Sequence, residues 1–292
     1  MGKIRVGLSG WSYPGWHGSF YPADMVKRRE LEYASGVFDS LEINASFYSL
    51  LSPRTYQDWF ERTPRHFLFA VKGSRFVTHN KKLRDCESAL ANFFASGILC
   101  LRDKLGPFVW QLPEHLHFDP ERLTTFFALL PRNTEDAVRL ARKHDPRVEG
   151  RAWMHTTGRR RLRHALEVRH ESYFGPECIR LLRRAGIALV VSDAADWPLR
   201  EDVTASFVYL RLHGSRVTYA SRYTDRELDD WAGRVRRWSE GGEPSDARRA
   251  DSRRAPARRS RDVYVYFDND GAANAPNDAR RLRKRLRLNG PG

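Results

Sequence analysis

The sequence has little cysteine, no long apolar run and no excess of acidic residues, and each shortage excludes a class of protein. Cys86, Cys100 and Cys178 stand far apart without a C-x-x-C pair, which argues against a disulfide framework and a zinc clip. No apolar run approaches the ~20 residues that span a bilayer, and residues 1–7 predict the start of a strand rather than a secretion signal. We therefore expect a cytoplasmic protein with no membrane partner.

Apolar residues, aromatic residues and arginine are abundant. Apolar residues make up 41% of the 292 residues, with 8 Trp, 11 Tyr and 16 Phe, which excludes a disordered chain and supports a large core. Lys and Arg number 51 against 36 Asp and Glu, a formal net charge of +15. Much of this surplus lies at 159–163, 248–261 and 280–287, so the positive charge is local.

Residues 241–261, here called the Arg-rich segment, have the most biased composition. The segment begins Gly-Gly-Glu-Pro-Ser and continues with Arg pairs separated by Ala, Asp, Ser and Pro, without periodic apolar residues. This composition predicts a flexible surface loop. The segment either binds the phosphates of a nucleic acid or is a solvated insertion without a partner.

Short apolar runs alternate with helical patterns along the whole chain. Ser52-Pro53, Asp119-Pro120 and the capping box Thr224-x-x-Glu227 mark helix starts. This alternation predicts a single (β/α)8 TIM barrel over residues 1–292, with Arg-rich insertions. The alternative, a doubly wound open sheet, lacks its G-x-G-x-x-G fingerprint, since residues 9–13 read Ser-Gly-Trp-Ser-Tyr. The eight runs are 4–9, 38–44, 67–72, 108–112, 165–169, 187–192, 207–213 and 263–268.

The alternation of side chains along each strand places polar residues inside the barrel. Leu41 and Ile43 face the helices, so Glu42 and Asn44 face inward, and the other strands follow the same pattern. These inward residues lie toward the carboxyl ends of their strands, where barrel enzymes carry their active sites. A buried charge needs a partner, so the set forms either a functional pocket or a structural lattice of salt bridges. The inward polar residues on the remaining strands are Lys72, Gln111, Glu167, Arg169, Arg211, His213 and Asp268.

Seven motifs, in order along nearly the whole chain, resemble the domain-of-unknown-function 72 family, also called YecE-like. The resemblance implies a TIM-barrel fold and no settled activity. The chain departs from the family pattern at Asp268, where Asn is usual, and in Arg-rich insertions after Lys143 and after Trp238. The motifs are Gly7-Leu8-Ser9-Gly10-Trp11-Ser12-Tyr13 with Trp16-x-Gly18-x-Phe20-Tyr21-Pro22, Glu42-Ile43-Asn44 with Phe47-Tyr48, Phe69-Ala70-Val71-Lys72, Gln111-Leu112-Pro113, Glu167-x-Arg169-His170, Arg211-Leu212-His213-Gly214 and Tyr264-x-Tyr266-Phe267-x-Asn269-Asp270.

Two strand ends continue alike, as Lys72-Gly73-Ser74-Arg75 and His213-Gly214-Ser215-Arg216. Each places a cation, a glycine, a hydroxyl and an Arg at the barrel mouth, a combination that suits a small anionic ligand. The alternative is an ordinary turn whose Arg points to solvent.

The acidic residues of the predicted site suit general acid or base catalysis, substrate binding or metal binding; they are Glu42, Glu167 and Asp268, with Asp193 after the sixth apolar run. The charges nearly cancel without a metal, so we expect no cofactor. A single divalent ion on Glu167, Asp193 and His213 remains the alternative.

Aromatic residues crowd the first two loops of the predicted mouth. Trp11, Tyr13 and Tyr48 are the rings that we expect to contact a ligand, because rings beside cations stack bases or sugars. Ser9 and Asn269 complete the predicted binding set, and His170 is a second-rank member because its parity points outward.

These residues predict an enzyme that hydrolyses, or performs related phosphoester chemistry on, a phosphate-bearing, nucleotide-like substrate. Glu167 is the predicted general base and His213 the general acid. Lys72 and Arg211 stabilise negative charge, and Glu42 orients one of them. The alternatives are a nucleic-acid-binding protein without catalysis and a carbohydrate hydrolase that uses Glu42 and Glu167.

Overall fold

The fold is a closed barrel of eight parallel strands, each hydrogen-bonded to its neighbours in sequence order, with β8 returning to β1. A computed structural model describes residues 1–288, so the last four residues of the predicted domain, 289–292, lie outside the described residues. The predicted TIM barrel is confirmed. The strands are β1 Ile4–Ser9, β2 Ser40–Ile43, β3 Leu68–Lys72, β4 Leu105–Gln111, β5 His164–Glu167, β6 Ala188–Ala194, β7 Phe207–Gly214 and β8 Asp262–Phe267.

Helices follow seven of the eight strands. The predicted starts at Ser52, Asp119 and Thr224 are helix caps, and each side chain accepts a hydrogen bond from the first turn. The eightfold strand–helix repeat is wrong at one place, because residues 195–206 join β6 to β7 without a helix. The helices are α1 Glu30–Val37, α2 Ala45–Tyr48, α3 Pro53–Glu61, α4 Glu87–Ala95, α5 Pro120–Leu129, α6 Thr134–Ala141, α7 Pro176–Ala185, α8 Asp225–Ser239 and α9 Asn274–Leu286.

The Arg-rich segment bridges α7 and α8 beside this helix-free connection. It has no regular secondary structure, as its composition predicts, but buried acidic residues bind it to the barrel. Asp202 accepts hydrogen bonds from two backbone amides of the segment, and Glu201 accepts one. In return, Asp251 of the segment pairs with Arg183 of α7 at 3.3 Å. The segment is therefore docked on the barrel, although many of its arginines are exposed.

The barrel has one core inside the strands and a second between strands and helices. On β8, Val263, Val265 and Phe267 belong to the outer core, whereas Tyr264 and Tyr266 belong to the inner one, as the alternation predicts. The inner core closes the barrel below its carboxyl end, which leaves the polar layer above it as the floor of the mouth. Within residues 1–288, none of the helices combines the length and apolar character needed to cross a membrane.

Gly7 on β1 is required by the close approach of β2. A Cβ atom at Gly7 would stand 1.8 Å from the backbone oxygen of Ser40, whereas a Cβ at the exposed Gly233 in α8 would meet nothing within 4 Å. We expect Gly7→Ala to lower the free energy of unfolding by about 1–3 kcal/mol. Gly233→Ala, the matched control, should raise it by about 0.5–1 kcal/mol. Urea unfolding measures both, and equal stability of the two variants would contradict this account of the barrel.

Candidate functional site

The guanidinium group of Arg211 on β7 is the centre of the candidate site. Its Nη1 donates to Oε2 of Glu167 at 2.8 Å, and its Nη2 lies 2.9 Å from both Oε1 of Glu42 and Oδ2 of Asp268. Nη2 also donates to the Ser9 hydroxyl at 2.8 Å. Burial alone would lower the pKa of Arg211, but the three carboxylates hold it well above its usual value. One arginine thus links side chains from five strands or strand ends.

Glu42 on β2 is fully buried, and its two oxygens are both occupied. Oε1 accepts from the Ser9 hydroxyl at 2.6 Å as well as from Arg211, and Oε2 accepts from the Tyr209 hydroxyl at 2.5 Å. The sequence predicts that Glu42 orients either Lys72 or Arg211. Glu42 pairs with Arg211, and within residues 1–288 it forms no ion pair with Lys72.

Glu167 and His213 form a second buried pair beside Arg211, with neither side chain exposed. Oε1 of Glu167 accepts from the Ser192 hydroxyl at 2.8 Å and lies 3.0 Å from Nε2 of His213. Burial raises the pKa of Glu167, but Arg211 and His213 outweigh it and hold that pKa well below its ordinary value. Glu167 is therefore an ionised, fully bonded carboxylate.

Asp268, directly after β8, is the carboxylate of the cluster that reaches the mouth. Its Oδ2 lies 3.0 Å from Nδ1 of His213, and its side chain is 12% exposed, against 0% for Glu42 and Glu167. Burial raises its pKa, but Arg211, His213 and Lys72 together hold the pKa below the ordinary value. Asp268 is thus ionised and partly open to a ligand.

Lys72, the last residue of β3, lies beside this cluster without an ion pair to any described carboxylate. Its Nζ lies 4.4 Å above the ring of Phe47, and the Ser46 hydroxyl donates to its backbone oxygen at 2.7 Å. Burial, with the nearby charge of Arg211, lowers the pKa of Lys72 to about 8. Lys72 is therefore a buried amine that titrates close to neutral pH and is free to meet a ligand.

Arg169 provides a second cation at the mouth, two residues after β5. Its guanidinium lies 3.8 Å from the ring centroid of Trp197, and its Nη2 donates to the Tyr219 hydroxyl at 2.9 Å. The ring of His213 lies edge-on to both Trp197 and Tyr219, at 4.9 and 5.4 Å. Sequence reasoning missed these two rings, because each lies in a loop that strand parity does not reach.

Gln111 closes β4 next to Glu167 in register, and its buried Oε1 has no partner among the described residues.

A cavity of about 520 Å³ opens next to the cluster, between the loops after β1 and β2. Three of its walls are the aromatic residues predicted to contact a ligand, Trp11, Tyr13 and Tyr48, and Tyr48 is 74% exposed. Asn44 lies in the wall and donates to the Ser9 hydroxyl at 3.0 Å, so the cavity adjoins the buried lattice.

Three predicted site residues lie elsewhere. Asp193 is on the outer face of β6, where burial raises its pKa and its carboxylate accepts from Trp231 of α8 at 3.3 Å. Asn269 donates to Asp278 of α9 at 3.0 Å. His170 accepts from the amide of Ser172 and caps a short turn.

The metal alternative loses one of its three ligands, because Asp193 points away from Glu167 and His213. Within the chain as far as residue 288, no cluster of three or more His, Cys, Asp and Glu side chains is arranged to hold a metal ion.

The two similar strand-end turns differ in whether their Ser and Arg side chains have partners nearby. After β7, the Ser215 hydroxyl donates to Glu227, and Arg216 donates to the Arg222 carbonyl, so both side chains have local partners. After β3, the Ser74 hydroxyl accepts from the amide of Phe76, while Arg75 is exposed. The anion-binding pattern therefore fits the first turn better than the second.

Removing Arg211 should leave three carboxylates buried without their shared cation. We expect Arg211→Met to lower the free energy of unfolding by about 3–5 kcal/mol near neutral pH. The deficit should shrink in acid, because Arg211 lowers the pKa values of these carboxylates in the native chain, so the stability from the pairing is lost as pH falls from the ordinary pKa values of the unfolded chain toward the lowered native ones. Arg226→Met, at an exposed position of α8, is the control. Urea unfolding at pH 7 and pH 4 tests this, and equal stability of the two variants would contradict it.

Comparison with known proteins places this chain within a family. Residues 5–292 match the profile of "Protein of unknown function DUF72". UPF0759 protein YunF of Bacillus subtilis is 34% identical over 79 residues, 27% of each chain. UPF0759 protein YecE of Escherichia coli is 28% identical over 127 residues, 44% of this chain and 43% of YecE. These matches span less than half the length of either relative.

Solved structures show the same fold over the full length. A DUF72 family protein from Thermotoga maritima aligns with a TM-score of 0.74 and 24% identity, covering 98% of this chain and 99% of that one. A DUF72 family protein from Enterococcus faecalis aligns with a TM-score of 0.71 and 16% identity, covering 99% and 97%. With its profile match from residue 5 onward, this chain belongs to the DUF72 family.

Proposed function

We propose that this protein is an enzyme that hydrolyses a phosphoester in a phosphate-bearing, nucleotide-like substrate. The observation that carries the proposal is Lys72, a buried amine that forms no ion pair with a described carboxylate and lies beside the Arg211 cluster. Within the cluster, Arg211 and His213 are already paired with three carboxylates. A free buried cation next to an open mouth favours an anionic substrate, because the substrate supplies the missing partner.

We assign the catalytic roles from how deeply each side chain is buried. Phosphoryl transfer depends mainly on positioning and on stabilising charge, so a strong base is not required. Lys72 stabilises the phosphoryl oxygens and donates its proton to the leaving oxygen as the bond from phosphorus to that oxygen breaks and water forms the new bond. The phosphate product keeps the protons of the water and returns one of them to Lys72. Arg169 binds a second phosphate oxygen from the rim. Asp268 accepts a hydrogen bond from the attacking water and orients it.

Glu167 and His213 act through other residues in this proposal. Neither side chain is exposed, so the general-base and general-acid roles considered from the sequence pass to groups that a ligand reaches. The pair fixes the position of Asp268, since His213 bridges the two carboxylates. Glu42 does the same for Arg211. The carbohydrate-hydrolase alternative has less support, because it needs two accessible carboxylates and both Glu42 and Glu167 are sealed.

The aromatic cavity supports a nucleotide-like substrate. Ala45 and Tyr48 of α2 line it, and Phe47 of the same short helix lies beneath the amine of Lys72. A base that stacks on Trp11 or Tyr48 would place its sugar near Asn44 and its phosphate toward Lys72. Lys27 and Arg28 at the outer wall suit further phosphates.

A second candidate function is nucleic-acid binding without catalysis. The exposed arginines of the Arg-rich segment favour it, because they are available to backbone phosphates. The two candidates differ in their dependence on Lys72, because binding at the exposed Arg-rich segment does not need a buried amine.

Lys72 should control both the rate and its pH dependence. We expect Lys72→Gln to lower kcat/KM for bis(p-nitrophenyl) phosphate and for active members of a nucleotide panel by about 10²–10⁴-fold. The native enzyme should lose activity as pH rises through about 8, where Lys72 deprotonates. Lys72→Arg should keep some binding but show no fall near pH 8, because arginine stays charged there. Absence of turnover across the panel, or a fully active Lys72→Gln variant, would contradict the proposal.

Asp268 should tune Lys72 rather than be indispensable. Its negative charge raises the pKa of Lys72, so Asp268→Asn should move the alkaline fall in activity below that of the native enzyme. The Asn oxygen still accepts a hydrogen bond from water, so turnover should persist. Asp196→Asn, in the exposed β6–β7 connection, is the matched control and should leave the profile unmoved. The profile is measured as kcat/KM against pH. An unchanged profile in Asp268→Asn would show that Asp268 does not influence Lys72 and would remove Asp268 from the mechanism.

A further inference from the structure

A second cavity, of about 370 Å³, lies at the amino end of the barrel, opposite the candidate site. Its walls come from the loop before α6, the approach to β5, the end of α7 and the start of β7. Four arginines line it, Arg132, Arg161, Arg163 and Arg184, and no Asp or Glu does. The cavity therefore has a strong positive charge that the proposed function does not use.

Three of these four arginines lack a carboxylate partner. Arg163 donates to Asp262 at 2.7 Å and to the Tyr264 hydroxyl at 2.6 Å, so its charge is balanced. Arg132, Arg161 and Arg184 form no ion pair with any carboxylate in residues 1–288. His164 adds no charge at neutral pH, because burial lowers its pKa to about 4. All three side chains are exposed, so water and salt screen part of their mutual repulsion, and an anion in the cavity would relieve the rest.

The backbone holds these cations in place. Residues 133 and 161 form an isolated antiparallel bridge, and the Leu162 amide donates to the Arg132 oxygen at 2.8 Å, which sets Arg132 beside Arg161. The Arg132 side chain donates to the Ala185 carbonyl at 2.9 Å and to that of Phe127 at 3.3 Å. Burial, with Arg161 nearby, lowers the pKa of Arg132. The guanidinium is thus fixed before any ligand arrives, which reduces the entropic cost of binding.

Helix polarity explains part of this charge but not all of it. Arg184 lies in the last turn of α7, where a cation offsets the carbonyl end of the helix. Arg183 in the same turn already has a partner, Asp251, and Arg132 already bonds the Ala185 carbonyl. Arg161 belongs to no helix and points into the same cavity.

We propose that this cavity binds a compact phosphate anion of the diphosphate type, as a site separate from the barrel mouth. Guanidinium groups match phosphate oxygens with paired, charge-assisted hydrogen bonds. Water occupies about 30 Å³ per molecule, so the cavity holds a small anion with its hydration but not a large ligand. The shared chemistry is the phosphate group, whether it comes free or at the end of a nucleotide.

Calorimetric titration with inorganic pyrophosphate tests the site. The Lys72→Gln chain is used beside the native one, so that binding at the mouth is weakened. We expect both chains to bind pyrophosphate at the amino end. The double substitution Arg161→Gln and Arg184→Gln should weaken that binding by about ten- to a hundredfold. Arg226→Gln, an exposed arginine outside the cavity, should leave it unchanged.

The outcomes are distinct. Loss of binding in the double variant, with native circular dichroism and an unliganded melting temperature no lower than that of the native chain, supports the site. No binding to the Lys72→Gln chain, or equal binding to the double variant, overturns it. A single-stranded oligothymidylate that needs Arg161 and Arg184 but that pyrophosphate does not displace also overturns it, since the surface would then bind nucleic acid. None of these results depends on turnover at the mouth.

Discussion

The charge balance around Arg211 is the constraint on which the site depends. Glu42, Glu167 and Asp268 converge from three strand ends, and without a shared cation their mutual repulsion and lost hydration would keep them apart. Arg211 removes that obstacle, and His213 joins two of the three from the other side. The cost of such a lattice is that most of its members have no bonding capacity left. The groups able to act on a ligand are those that the lattice leaves incomplete, above all Lys72.

The repeat of apolar runs and helical patterns was enough to predict the barrel. The alternation of side chains was enough to predict which residues face its interior, because it is a local property that both faces of every strand obey. On β8 it separates Tyr264 and Tyr266 from Val263 and Val265 correctly. The connection from β6 to β7 defeated the same reasoning, because a remote part of the chain replaces the missing helix. Asp202 in that connection binds the backbone of the Arg-rich segment about fifty residues later, a tertiary contact that no local pattern shows.

The sequence predicts which side chains of the site face into the barrel, but not how deeply each one is buried. The alternation of side chains states that Glu167 and His213 face into the barrel. It does not state how deep a side chain lies, because residues at the rim and residues below it face inward alike. Only the structure distinguishes the sealed Glu167 from the partly open Asp268. Asp193 fails for a simpler reason, since it was placed after β6 and lies within it, on the outward face beside Trp231. Trp197 and Tyr219 lie in loops, where no periodicity applies, although an aromatic residue soon after a barrel strand is a usable signal.

The positive charge of the chain has several separate uses. Arg211 is an internal counter-ion, and Arg261, 2% exposed, donates to the backbone carbonyls of Gly242 and Pro256 and so closes the base of the Arg-rich segment. Such arginines are structural, because their donors are consumed inside the protein. Net charge therefore overstates what is available to partners. In the proposed functions, the cations available to an anion are Lys72 at the carboxyl end of the barrel and Arg132 and Arg161 in the cavity at its amino end, none of which forms an ion pair within residues 1–288. Because the inner core lies between the two ends, the proposed sites would be independent, and an anion at one end would leave the other accessible.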